Sequence, residues 1–156
     1  MDKVEEKLKE TDKKRRTFTL LILVFIIGGI TTPFIKLPVN AAGLLVPFKV
    51  ESATYVPIDV EKQYSKISGF NRVKTIYENQ EESITVWATS EIGWNNVSNW
   101  DEQITLNDGT TAYYNVTDDN VHMISWRKDG VEYAIDYKGV KVISKEKLIT
   151  MVQSIE

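Results

Sequence analysis

The sequence predicts an α+β fold behind an N-terminal transmembrane helix: an antiparallel meander sheet of five or six strands covered by a C-terminal helix. Three observations predict it. A run without charge from Thr17 to Ile35 follows a basic cluster. From Val73 to Tyr137 apolar residues recur with a period of two, cut at intervals by turn residues. From Ser144 onward the period becomes that of a helix.

The uncharged run is centred on Leu20 to Ile27 and is 19 residues long, close to the ~20 that a helix needs to cross the ~30 Å hydrocarbon layer. Lys13, Lys14, Arg15 and Arg16 stand just before it. Basic residues stay on the cytoplasmic side, so residues 1–16 read as a cytoplasmic stub and residues beyond 36 as extracytoplasmic. The rival reading is a cleaved signal peptide, because Val39-Asn40-Ala41 offers small residues at the right spacing before Ala42. Against it stand a long 16-residue leader and a stretched segment, containing Lys36, between Ile30 and Ala41. Both readings export the remainder of the chain. In the stub, two of the three pairs Glu5/Lys9, Glu6/Glu10 and Lys9/Lys13 are like-charged, and only Val4 and Leu8 are apolar. It reads as a solvated leader that sets topology.

Charge divides the chain in the same place. The first 36 residues hold 8 Lys/Arg against 5 Asp/Glu, and the rest hold 11 against 17. A net charge of −6 on the folded part argues against nucleic-acid binding, which needs concentrated basic surface. The chain has no cysteine, which excludes disulfides, thiolate metal sites, a cysteine nucleophile and a lipid-modified cysteine.

Residues 36–57 form an extended juxtamembrane lead-in, with prolines that bar it from a central strand. It packs along the domain or lies on the membrane surface. Residues 58–156 form the α+β domain proper. Asp59 to Ser68 is expected to be a short helix ending near Gly69. Arg72 to Tyr77 and Ile84 to Thr89 form a hairpin with one buried face. After a looser stretch, Glu91 to Trp100, come Gln103 to Leu106, Thr111 to Val116, Val121 to Arg127 and Val131 to Tyr137. The turns between them are Asn107-Asp108-Gly109, Asp118-Asp119-Asn120 and Lys128-Asp129-Gly130, which tolerate the positive φ of tight hairpins. Ser144 is the expected cap of the last helix, whose apolar stripe is Leu148, Ile149, Met151, Val152 and Ile155.

Few residues suggest chemistry. His122, the single histidine, has no Gly-x-Ser-x-Gly nucleophile elbow to serve and no second histidine or cysteine to share a zinc ion. It reads as a strand-surface residue. The Asp and Asn of the turns lack the alternating spacing of a calcium loop. No catalytic residue, metal ligand or cofactor is expected. Trp87 and Tyr113 suit a sheet face, whereas Trp94 and Trp100 lie in the Asn-rich stretch and are the candidate interaction residues.

From about Pro47 to Ile155 the chain resembles a family of exported domains of unknown function from spore-forming Gram-positive bacteria. These occur at the C-terminal end of membrane-anchored anti-sigma-factor-like and lipoprotein-sorting-like proteins. The resemblance is carried by Tyr55-Val56-Pro57, Gly109 to Tyr114, Ile124-Ser125-Trp126, Gly130 to Ile135 and Ser144 to Leu148. A stub of 16 residues is too short for a folded sigma-binding module. The resemblance therefore implies a membrane-anchored, non-catalytic sensor or interaction domain whose partner is an envelope protein or polymer. The alternatives are an exported carboxylate-dependent hydrolase, or a binding protein released after Ala41.

Overall fold

The computed structural model describes residues 13–21, 23, 35–69, 71–95, 97 and 100–155. The chain divides into two compact units, Met1–Phe34 and Ile35–Glu156. In the first, residues 13–21 and 23 are helical and exposed, with Thr17 and Thr19 donating to the carbonyls of Lys13 and Arg15. The expected span at 17–35 lies mostly outside the described residues. Among the described residues no helix is long and apolar enough to cross a membrane.

The second unit is one antiparallel sheet of seven strands with a helix at its end, and the lead-in expected to be extended carries a single helical turn, Val39–Ala42, before the first strand. The strands are β1 Lys62–Ile67, β2 Arg72–Glu78, β3 Glu82–Thr89, β4 Glu102–Thr105, β5 Thr111–Val116, β6 His122–Lys128 and β7 Val131–Gly139. The C-terminal helix is Lys145–Gln153. The α+β class and the covering helix match expectation. The strand count does not, because seven strands replace five or six.

The additional strand is β1, where a short helix was expected. Six consecutive residues of β1 instead pair with β2, from Lys62 opposite Glu78 to Ile67 opposite Val73. This register buries Ser65 and Ile67 on the core face, where the Ser65 and Thr75 hydroxyls satisfy each other at 2.8 Å.

The order β1-β2-β3-β7-β6-β5-β4 also departs from a simple meander. Three strands run as one meander and four as another, and β7 returns to lie beside β3. The expected hairpin turns all occur. At the tightest, Lys128 pairs with Val131 and only Asp129 and Gly130 lie between, with φ of 50° and 78°. Two successive positive φ values give the local twist that a two-residue hairpin requires.

Alternation sorts the side chains onto two faces. Tyr77, Ile84, Val86, Ile124, Ile135 and Tyr137 occupy the first, each at most 5 % exposed. There they meet Leu148, Met151, Val152 and Ile155 of the C-terminal segment, which are equally buried. Ser144 caps the helix by accepting from the Lys147 backbone N–H. The lead-in completes this layer, with Phe48, Ala53 and Val56 packed on the same core. It is fastened to the helix end: Thr54 N–H donates to the Ser154 carbonyl, and Tyr55 N–H donates to the Ser154 hydroxyl. Ala53 bridges to Ile155 in antiparallel fashion.

His122 is buried rather than on the strand surface. It lies on the helix-covered face between the rings of Tyr114 and Tyr137, and Nδ1 is 2.8 Å from the Tyr114 hydroxyl.

The helix stripe supplies one side of the main core, so its loss should be global. Leu148→Ala is expected to cost about 2–5 kcal/mol, and Lys147→Ala, on the exposed side, about 0.5 kcal/mol or less. Deletion of residues 144–156 should abolish cooperative unfolding in denaturant. A truncated domain with an unchanged midpoint would show that the helix is no part of the core.

Candidate functional site

The second face of the sheet is not the wet face that alternation suggests. Because β4 lies at the far edge, the chain leaving β3 must travel past β7, β6 and β5 to reach it. It does so on the face opposite the helix, where Thr89, Ser125 and Glu132 are buried. Glu132 is the centre of this arrangement. One carboxylate oxygen accepts from Gly93 N–H and the other from Asn95 N–H, each at 2.7 Å. Arg127 adds a longer contact of 3.4 Å. Gly93 has φ +85°, a left-handed conformation that a side chain would strain. It lets two nearby amides converge on a single carboxylate.

The Asn95 amide donates to the Ser125 hydroxyl at 3.1 Å, and that hydroxyl donates to the Tyr133 carbonyl at 2.9 Å. The crossing segment is therefore fixed to β6 and β7 through side chains. Between it and β5 lies an open cleft of about 480 Å³, with Asn95, Thr111, Tyr113, Ser125, Arg127 and Glu132 among its lining residues. Its lining combines hydroxyls, an amide, a phenol ring and a half-exposed guanidinium. Such a surface offers hydrogen bonds to a polar ligand. Glu132 already has both oxygens engaged, so it organises the wall and has little capacity left to act as a base.

The two expected interaction residues lie elsewhere on this segment. Trp94 is half-buried, with its ring 5.2 Å from that of Trp87 and the Arg72 guanidinium 4.4 Å from its centroid. Trp100 is half-buried and its backbone N–H donates to the Val97 carbonyl. Neither lines the cleft. Tyr113 does line it. Glu132 and Asn95 escaped sequence reading because their roles depend on where the crossing segment lands. Glu132, flanked by Val131 and Tyr133, looks locally like an outward-facing strand residue.

A second acidic group lies on this face. The Trp87 indole N–H donates to Asp136 Oδ2 at 2.7 Å, whereas Asp136 Oδ1 is buried without a partner among the described residues. Burial raises the Asp136 pKa above its ordinary 3.8, against the opposing effect of the Trp87 hydrogen bond. Among the described residues no group of three or more His, Cys, Asp or Glu is placed to hold a metal ion.

Two substitutions test this reading. Glu132→Gln keeps one acceptor but turns an NH₂ toward a backbone N–H. It should destabilise the domain by about 1.5–3 kcal/mol, with faster amide exchange at Gly93 and Asn95; unchanged exchange would remove Glu132 from its central place. For Asp136 the folded state holds the proton more tightly than the unfolded chain. Its contribution therefore favours the fold at low pH and is lost as pH rises through the raised value. Asp136→Asn removes the buried charge, so it should raise the denaturation midpoint at pH 7, with the gain shrinking toward pH 3.8. A gain independent of pH would contradict this. Comparison of the chain with protein-family models, characterised proteins and solved structures returns no match.

Proposed function

We propose that residues 36–156 form a non-catalytic recognition domain, held outside the cell membrane by residues 17–35, which binds an envelope protein or polymer through the cleft beside Glu132. The observation that carries this reading is how the carboxylates are used. Glu132, the carboxylate that lines the cleft, has each oxygen engaged by a backbone N–H group. Asp136, the buried acid with a raised pKa, lies on the same strand four residues away. At about 3.3 Å per residue, that separates their backbones by roughly 13 Å. Glycosidases place paired carboxyls about 5–9.5 Å apart across one bond. The spacing favours binding over carboxylate-dependent hydrolysis. The resemblance to exported domains of anti-sigma-factor-like proteins, and the acidic charge of the folded part, fit an envelope partner and not a nucleic acid.

A photo-crosslinking residue at Tyr113, incorporated in the full-length chain in cells, should trap an envelope component. Arg127→Ala should reduce that yield several-fold. The same probe at Lys138, exposed on β7, should trap little. Equal capture at both positions would remove the cleft from the function.

A further inference from the structure

In the sequence a single residue lies between the end of the uncharged run and Leu37, which is hydrogen-bonded to the sheet. Leu37 is bound to β1 by two backbone hydrogen bonds of 2.8 Å, its N–H to the Ser65 carbonyl and the Ser65 N–H to its own carbonyl. Only Lys36 separates Leu37 from Ile35, where the uncharged run ends. Two residue steps span at most about 7 Å. The headgroup layer on each side of the hydrocarbon is itself some 5–8 Å deep. If residues 17–35 span a membrane, the outer edge of β1 is held at headgroup level.

The domain has apolar surface suited to that position. Leu44 and Leu45 are 86 % and 61 % exposed, although Ala42 just before them is fully buried and Val46, Phe48 and Val50 pack inward. They are held on a fixed turn, with Leu44 N–H donating to the Ala41 carbonyl and Leu45 N–H to that of Ala42. Scattered exposed leucines are ordinary; two adjacent ones on a hydrogen-bonded turn form a directed patch. The antiparallel Leu37–Ser65 bridge points the preceding residues toward the Ile67 end of β1. Ala42 packs with Ile67 and Val73 at that same end. Lys36 and Lys66 place their ammonium groups 4.0 and 5.8 Å from the Tyr64 ring centroid. Basic and aromatic side chains together are characteristic of the membrane–water interface.

We propose that the Leu44–Leu45 turn inserts into the outer leaflet of the membrane entered by residues 17–35 and seats the β1 edge of the sheet on the lipid surface. This rests on the anchored reading of the N-terminal segment. Four strand spacings of ~4.8 Å separate β1 from β6, so the cleft would stand roughly 19 Å along the sheet from the seated edge. A partner at the cleft would then be met clear of the headgroups.

The absence of cysteine permits single-cysteine spin labelling of the full-length chain. Labels at Leu44→Cys, Leu45→Cys, Val142→Cys and Ile26→Cys are compared in phosphatidylcholine vesicles containing phosphatidylglycerol, by collision with oxygen and with a water-soluble nickel chelate. Val142, 86 % exposed beyond the opposite end of β7, is the aqueous reference. The labels at 44 and 45 should collide several-fold more with oxygen relative to nickel than the label at 142. Adding Leu45→Asp to the Leu44 label should shift it toward nickel. If 44 and 45 resemble 142 while 26 is in lipid, or if Leu45→Asp leaves the Leu44 label unmoved, the seating is refuted and the anchor stands. If 26 is also open to nickel, the anchored reading falls, and the seating with it.

Discussion

The eight-residue antiparallel seam between β3 and β7 makes one sheet of two meanders. It places Ile84 opposite Tyr137, Val86 opposite Ile135 and Ala88 opposite Tyr133, so buried core residues meet in pairs across it. Once β7 occupies the edge of β3, β4 cannot, and the chain must cross the sheet to reach the far side. The covered second face, the burial of Glu132 and the cleft all follow from that displacement.

Much of this was legible in the residues. The turns at Asn107-Asp108-Gly109 and Asp129-Gly130 announce themselves because few residues accept positive φ. The last helix is equally plain, since Leu148, Met151 and Val152 repeat at a spacing that no strand shares. β1 was not legible, because its buried residues include Ser65, whose polarity hides the alternation until Thr75 is seen beside it. Sheet order was not legible either. Val86 carries no mark that it prefers Ile135 to a residue of the following strand, and pairing between distant strands is decided by the sum of the core. The candidate site inherited this blindness, because Glu132 and Asn95 meet only after the order is set.

Polar groups are buried on both faces, and they differ in how well they are served. Ser65 with Thr75, and Ser125 with the Tyr133 carbonyl, are satisfied pairs. His122 leaves Nε2 without a hydrogen bond among the described residues, as Asp136 does Oδ1. A buried polar atom without a partner costs stability. A fold that retains two of them in neighbouring strands holds them by the packing around His122 and by the indole of Trp87. Local order at these sites is dictated by their neighbours.

The fastening of Thr54 to Ser154 closes a loop of a hundred residues. Contacts so distant along the chain form late, because the entropy of closing the loop must be met before they contribute. The lead-in can find its seat only when the segment bearing Leu148 and Ile155 has been delivered beside it. A chain that emerges during synthesis N-terminal part first thus holds its early apolar residues uncommitted until its last residues arrive. Completion of the fold waits on the last dozen residues, and a chain cut short before them leaves the apolar side chains of its lead-in uncovered.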